Sequence, residues 1–181
     1  MNDLSLHIID IIQNSLSAGA KRIGLAIKED SANDRLTISI EDNGKGMAPE
    51  VAARLEDPFY TTRTTRKVGM GIPLFKQSAM QSGGNLSVES EPGKGTTVTA
   101  WFELGNIDRP PLGDVANSFV LMVSANPQIH FTLSYVVNEN EYTFDSVEVA
   151  EVLGDIELSD VRVIRMLEEM VRENINELKS L

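Results

Sequence analysis

The chain has 181 residues, of which 41% are apolar and none is cysteine. This length suits one ordinary domain or one domain with a modest addition, and the apolar share predicts a packed core rather than disorder. Without cysteine, disulfides, thiolate metal sites and a cysteine nucleophile are excluded. The net charge of −11 argues against binding nucleic acid by phosphate neutralisation.

The sequence gives two further expectations, one about the cellular location of the protein and one about its division into domains. No apolar run approaches the roughly 20 residues that cross a bilayer, and Asp3, His7 and Asp10 interrupt the N-terminal apolar residues. We therefore expect a cytoplasmic protein with no signal peptide and no membrane contact. Residues 1–105 carry a net charge of −2 and residues 106–181 a net charge of −9. This difference predicts an N-terminal domain and a separate acidic module, which binds a partner or completes the fold.

The N-terminal part predicts alternating helices and strands. Helical spacing or helix-start signals occur at residues 4–16, 50–55 and 73–81, and strand-like alternation occurs at 23–28, 36–41, 86–91 and 96–104. Such an order predicts an α/β fold (an α+β sandwich) in which helices cover one face of a mixed sheet.

The C-terminal part predicts a small α+β module after a linker at 106–113. We predict strands at 118–124, 129–137 and 142–144, a hairpin tip at 138–141, and helices at 147–153 and 160–178. Apolar residues in the last helix recur at helical spacing: Ile164, Leu167, Val171, Ile175 and Leu178. This stripe predicts docking on the three strands, with a dimerising coiled coil as the alternative.

The opening helix is apolar around most of its circumference, with a narrow polar stripe of His7, Asp10, Asn14 and Ser17. Buried polar groups need partners, and a pocket that holds a metal and phosphates supplies them. Asn14 offers the hard amide oxygen that Mg²⁺ prefers. Asp10, one turn earlier, is placed to orient and deprotonate a water that attacks a γ-phosphate. The alternative is an ordinary solvent-facing stripe.

The turn at 42–46 follows a predicted strand with the sequence Asp-Asn-Gly-Lys-Gly. A carboxylate at Asp42 that accepts from an exocyclic amine distinguishes adenine from guanine. Gly44 and Gly46 would let a flat base lie close to the backbone. The alternative interpretation is an ordinary tight turn.

The segment 57–74 joins an apolar anchor to phosphate-binding features. Phe59 is followed by hydroxyls and cations, among them Thr62 and Arg63, and then by Gly69 and Gly71 ahead of a helix start. Glycine-freed amides and helix N-termini bind phosphate well. This segment therefore predicts a phosphate-binding loop.

Taken in order, these segments resemble the GHKL ATPases, the superfamily of gyrase, heat-shock chaperone, histidine kinase and mismatch-repair MutL proteins. The matching segments are 11–20 (the N box, in its MutL version), 41–47 (the first glycine box), 58–63 (the histidine-kinase F box), 68–74 (a variant second glycine box) and 93–98 (the last box). Together they cover roughly residues 4–104.

The resemblance implies a Bergerat fold that binds Mg·ATP between helices and a mobile lid at 60–71. It places Asn14 on Mg²⁺, Asp42 on the adenine amine, Thr96 near that aspartate, and Gly69 and Gly71 at the phosphates.

Two positions depart from the family pattern. Asp10 stands where the hydrolysing members keep a glutamate, and its shorter side chain can misplace the water; Ser17 replaces the aspartate of the MutL version.

Three kinds of function follow from the resemblance. We favour an enzyme, either an ATPase or a kinase that phosphorylates a separate protein, with a role in signal transduction. The alternatives are a non-catalytic switch gated by ATP and an ATP-dependent homodimer that controls a protein partner. A kinase that phosphorylates its own chain is disfavoured, because no helical hairpin precedes the N box. Of the two histidines, His7 lies inside that box and His130 lies in a predicted strand.

Overall fold

A computed structural model describes residues 3–57 and 71–181. Within these ranges the chain forms six helices: α1 (Leu4–Ser17), α2 (Pro49–Leu55), α3 (Gly71–Gln81), α4 (Val115–Ala125), α5 (Ser146–Leu153) and α6 (Val161–Lys179). It forms six strands: β1 (Arg22–Asp30), β2 (Arg35–Asp42), β3 (Asn85–Glu91), β4 (Gly95–Glu103), β5 (His130–Val137) and β6 (Asn140–Asp145).

The strands make one mixed sheet in the order β3-β4-β2-β1-β5-β6. All neighbours are antiparallel except β1 and β5, which run parallel from Arg22 opposite His130 to Glu29 opposite Val137. The predicted α/β fold with a mixed sheet is confirmed. Because β5 pairs with β1, the sheet runs across the predicted boundary at residue 105; whether the two parts act separately stays a prediction.

Helices cover one face of this sheet. Alternate strand residues such as Ile23, Ile38 and Phe131 are buried, as the period of two in a strand requires. They join one cluster with apolar residues of the helices, for example Ile8 of α1 and Phe119 of α4. The opposite face is partly exposed and carries mostly small, polar side chains.

The prediction of a strand at 118–124 is wrong, because these residues belong to α4. Asp114 caps this helix by accepting from the backbone N–H of Asn117 at 3.0 Å. Helix α4 packs between α1 and α6, so most of its residues are buried and its apolar run is nearly continuous. A short apolar run of that kind does not separate a buried helix from a buried strand.

Helix α6 docks within the chain, as its apolar stripe predicts. Its buried residues contact α4 and lie on β5 and β6, not on three strands. The stripe starts at Val163, while Ile164 is only partly buried. Because the chain itself covers this stripe, a coiled coil would have to form on the polar side of α6. Within residues 3–57 and 71–181, no helix has both the length and the apolar character needed to cross a bilayer.

Candidate functional site

A cleft opens between α1, the turn after β2 and the start of β4. Four residues predicted from the sequence line it: Asn14, Asp42, Gly46 and Thr96. Its walls also include apolar side chains, namely Ile11, Met47, Leu55, Ile72 and Val98. Apolar walls with a few convergent polar groups are typical of small-molecule sites, and they suit a flat heterocycle with a polar tail.

Asp42 is held in a fixed orientation at the end of β2. Its Oδ2 atom accepts from the Ser15 hydroxyl at 2.6 Å, and its Oδ1 atom accepts from the backbone N–H of Gly44 at 2.9 Å. Each carboxylate oxygen keeps a lone pair for a ligand, because ionised carboxylates accept about four hydrogen bonds. Sequence reasoning missed the role of Ser15, whose only signal is its place beside Asn14 in the N box.

The turn that carries Asp42 is tied to the neighbouring elements. The side-chain oxygen of Asn43 accepts from the backbone N–H groups of Lys21 and Arg22, at 2.8 and 2.9 Å. The backbone N–H of Lys45 donates to the carbonyl of Ala18, just after α1, at 2.9 Å. These bonds fix the distance between Asp42 and the end of α1 that faces it.

Ser90 links the two glycine-containing turns beside the cleft. Its hydroxyl lies 2.8 Å from the Thr96 hydroxyl, accepts from the backbone N–H of Met47 at 2.8 Å and donates to the carbonyl of Gly95 at 3.0 Å. Thr96 is also the register partner of Asp42 across β2 and β4. The expected proximity of Thr96 and Asp42 is therefore seen, whereas the part played by Ser90 was not predicted.

Glycine is required at position 46 by the protein's own backbone. Gly46 has a φ of +69°, and a Cβ atom there would lie 2.0 Å from the carbonyl oxygen of Glu91. At Gly44 a Cβ atom would lie 2.9 Å from the Ala18 side chain. Close packing of the turn against β3 and α1 thus needs these glycines, whatever binds in the cleft.

We expect Gly46→Ala to reduce the free energy of unfolding by about 2 kcal/mol more than Gly93→Ala does. Gly93 is the matched control, because its φ is +79° but a Cβ atom there meets nothing within 4 Å. Both variants carry the strain of a positive φ, and only Gly46→Ala adds a clash with backbone. Urea unfolding measures the difference; equal losses would show that the turn moves away from Glu91 at little cost.

A second group of predicted residues meets at the start of α3. Gly71 is the first residue of this helix, and a Cβ atom there would lie 3.4 Å from the Asp10 Cβ atom and 3.8 Å from the Asn14 Nδ2 atom. The free amides of a helix N-terminus favour anions, phosphate among them. Partial burial raises the pKa of the Asp10 carboxyl. The three residues therefore form one polar corner next to the cleft.

The side-chain amide of Asn14 has an unpaired donor in this corner. Its Nδ2 atom is buried and has no hydrogen-bond partner among the described residues. Buried polar atoms are normally paired, so an orphan of this kind is typical of a site completed by a ligand. The amide also offers one hard oxygen, which fits a Mg²⁺ ion that keeps several waters and takes other oxygens from phosphates.

His7 belongs to the core between α1 and α3. Its ring stacks on Phe75 with centroids 4.9 Å apart and planes 9° apart, and it is only 4% exposed. Its Nδ1 atom has no hydrogen-bond partner in the described part of the chain. Burial lowers the pKa of His7 from 6.5 to about 4, so the ring is neutral near pH 7.

We expect this burial to make the protein sensitive to acid. Between pH 6.5 and about 4 the unfolded chain binds a proton at His7 that the folded chain does not, so stability falls as the pH falls. Relative to His7→Phe, which keeps a stacked ring, the wild type should lose up to about 3 kcal/mol over this window. Urea unfolding at pH 7.5 and pH 4.5 gives the comparison. Parallel pH profiles would contradict a buried neutral histidine.

Four predicted residues, Phe59, Thr62, Arg63 and Gly69, lie at 58–70 and so outside the described residues. Their roles and the predicted lid stay predictions. Gly44 does not line the cleft itself but supports Asp42 from behind through its backbone N–H.

Residues 2–106 match the sequence profile described as "Histidine kinase-, DNA gyrase B-, and HSP90-like ATPase". The chain belongs to this family. The match covers more than half of the chain, and it includes every residue predicted to bind nucleotide. Membership of this ATPase family supports ATP binding, and the cleft around Asp42 and Asn14 is where the family segments converge.

Similar proteins include several named kinases. The chain is 36% identical over 92 residues to the sensor protein kinase FleS of Pseudomonas aeruginosa, covering 51% of this chain and 23% of that protein. It is 37% identical over 109 residues to a probable C4-dicarboxylate sensor kinase of Bacillus subtilis, covering 57% of this chain and 20% of that protein. The matched region thus spans less than a quarter of the length of either relative.

A solved structure shows the same fold. The N-terminal domain of a DNA repair protein superposes with a TM-score of 0.54, covering 79% of this chain and 52% of that one. At 17% identity this likeness concerns the fold alone. Since 79% exceeds the share that the family profile covers, the similarity of architecture extends beyond residue 106.

Proposed function

We propose that this family member binds Mg·ATP in the cleft and acts on the γ-phosphate, transferring it to water or to a separate protein in a regulatory role. One observation carries the proposal: the order of groups along α1. Near the C-terminal end of α1, Ser15 bonds to Asp42. Going back toward the N-terminus of the helix, Asn14 comes next, and Asp10, which adjoins the start of α3, lies one turn further on. An ATP molecule needs its base site, metal site and phosphate site in this order.

Mg²⁺ would be held by the amide oxygen of Asn14 and by phosphate oxygens. When bound, the ion neutralises phosphate charge and polarises the γ-phosphorus. The backbone N–H groups of Gly71 and Ile72 at the start of α3 would donate to the same phosphates, whereas Pro73 has no N–H to offer. The chain thus contributes one neutral metal ligand and a helix N-terminus, which suits a tetra-anionic nucleotide better than a ring of carboxylates would.

Asp10 would act on the attacking nucleophile. As the oxygen of a water or hydroxyl bonds to the γ-phosphorus, the bond from that phosphorus to the β–γ bridging oxygen breaks and ADP leaves. The carboxylate of Asp10 would accept the proton released by the nucleophile. Its position beside Gly71, at the phosphate end of the cleft, supports this role.

The kinase relatives support a regulatory role, but they leave the acceptor open because the shared region is a small part of each. A non-catalytic ATP switch is the second candidate. It is favoured by the aspartate at position 10, since a carboxylate one methylene shorter than the family's glutamate lies farther from the phosphate. A protein partner is part of both proposals.

We expect Asn14→Ala to weaken ATP binding chiefly when Mg²⁺ is present. The variant removes the proposed metal ligand, so affinity in Mg²⁺ should fall about 10- to 100-fold, while affinity in EDTA should change less than about threefold. Calorimetric titration of the full chain measures both. Gln13→Ala, an exposed position on the same helix, is the control. No binding of Mg·ATP by the wild type would overturn the proposed function, and equal losses with and without metal would make Asn14 structural.

A further inference from the structure

Helix α5 exposes apolar side chains that nothing in the described structure covers. Of its eight residues only Ser146 is buried. Val147 is 44% exposed, Val152 is 87% exposed, and Ile156 in the turn after the helix is 50% exposed. Valine is also a weak helix former, so its use at solvent-facing helix positions brings no local advantage. These side chains lie on one short stretch of chain, unlike apolar residues scattered singly over a surface, which need no explanation.

Acidic residues share this outward surface. At 100° per residue, Val147, Glu148, Glu151 and Val152 fall on one side of α5, while Val149 on the opposite side is partly buried. Within the described residues no cation pairs with Glu148 or Glu151. We call the surface formed by Val147, Glu148, Glu151 and Val152 the α5 face.

The α5 face adjoins an acidic hollow on the open side of the sheet. Glu148 lines this hollow together with Glu41 and Asp145, and its floor is made of small residues such as Gly24 and Ala26. Asp145 is already engaged, because its Oδ2 atom bonds to the His130 ring at 2.9 Å. Glu41 and Glu148 have no side-chain partner in the described ranges and are available to a cation.

The residues of α5 and of the segments before and after it carry charge of one sign, whereas Arg22 and Lys28 flank the floor of the hollow on β1. Residues 131–161 contain no lysine or arginine. Their acidic residues are Glu139, Glu141, Asp145, Glu148, Glu151, Asp155, Glu157 and Asp160. Such a field repels nucleic acid, anionic lipid and a second copy of the same face, and it attracts cationic protein segments.

We propose that the α5 face and the adjoining hollow dock a partner protein segment in which lysine or arginine side chains alternate with apolar ones. The apolar side chains would cover Val147 and Val152. The cationic side chains would reach Glu148 and Glu151, and a long one would extend over the small residues of the hollow. This site is separate from the nucleotide cleft, which lies on the helix-covered side of the sheet.

The test uses a fluorescein-labelled 14-residue amphipathic peptide of lysine and leucine and the full chain in about 0.15 M salt, where long-range attraction is screened. Anisotropy gives the affinity. We expect Glu148→Gln/Glu151→Gln and Val147→Ser/Val152→Ser each to weaken binding about 10-fold. The matched control is Glu169→Gln/Glu173→Gln, which removes two exposed charges from α6 and should change affinity less than about twofold.

Three outcomes would overturn the proposal. The first is that the peptide does not bind the wild type. The second is an equal loss of affinity in the α5 variant Glu148→Gln/Glu151→Gln and the α6 variant Glu169→Gln/Glu173→Gln, which would indicate attraction by net charge alone. The third is a dimer in sedimentation that Val147→Ser/Val152→Ser converts to a monomer, because the face would then be covered by a second copy. Thermal unfolding of each variant confirms that it folds, and a glutamate version of the peptide should not bind.

Discussion

Replacing Asp42 by asparagine is expected to weaken Mg·ATP binding by about 100- to 1000-fold without unfolding the protein. The wild-type carboxylate is oriented by Ser15 and by the Gly44 N–H, and each of its oxygens retains a free lone pair. An asparagine amide keeps one acceptor oxygen and replaces the other by a donor. The asparagine oxygen can stay on the Gly44 N–H while the NH2 group donates to the Ser15 hydroxyl, so the turn tolerates the change. The loss falls on the adenine amine, which meets a neutral amide with one acceptor oxygen instead of a carboxylate with two.

Glu41→Gln is the matched control for this experiment. It makes the same chemical change one residue earlier in β2, where the side chain is exposed on the opposite face of the sheet. We expect its ATP affinity to stay within about twofold of wild type. Ser15→Ala should give an intermediate loss of about 5- to 10-fold, because it removes one orienting bond and leaves the charge. Full ATP affinity in Asp42→Asn would contradict the assignment of Asp42 to the adenine base, whatever the Asn14 and Asp10 variants show about the phosphate site.

Local pattern was sufficient for much of the fold. The strands β1 to β4 follow from apolar spacing and from glycine and proline positions, since each strand buries only one face and so shows its period. Helix α1 is buried on most sides and is recognisable by its narrow polar stripe instead. Helix α4 could not be recognised in this way, because it is buried between α1 and α6 and its apolar run has no clear period. The parallel pairing of β5 with β1 also escapes local pattern, because strand order is set by tertiary packing.

The candidate site also contains residues that the sequence predicts and residues that only the structure reveals. Asn14 and Asp42 are recognisable because a ligand demands specific chemistry from them at fixed places in motifs. Ser15 and Ser90 act through other residues, and only their partners in space reveal what they do. A serine that orients an aspartate 27 positions away carries no signal that separates it from a solvent-facing serine. His7 belongs to the polar stripe in the sequence, but the structure places it in the core, because its stacking on Phe75 depends on how α3 packs.

Replacing Asp10 by asparagine is expected to reduce phosphate release from Mg·ATP about 1000-fold while ATP affinity changes less than about threefold. The amide keeps the size of the side chain beside Gly71 and Asn14, but it cannot accept a proton from the nucleophile. Loss of turnover with binding retained is the sign of a group that acts only in the transition state. Single-turnover phosphate release, measured with saturating nucleotide, separates this effect from product release.

Asp10→Glu decides between the two candidate functions at the same position. If the aspartate is a working base, extending it by one methylene should change turnover in either direction but keep it well above that of Asp10→Asn. If the chain is a switch, the wild type and Asp10→Asn should show the same low release, and Asp10→Glu should create turnover by restoring the reach of the family's glutamate. Release that is equal in all three proteins would exclude Asp10 as the base and would move the search for the nucleophile to a protein acceptor docked elsewhere on the surface.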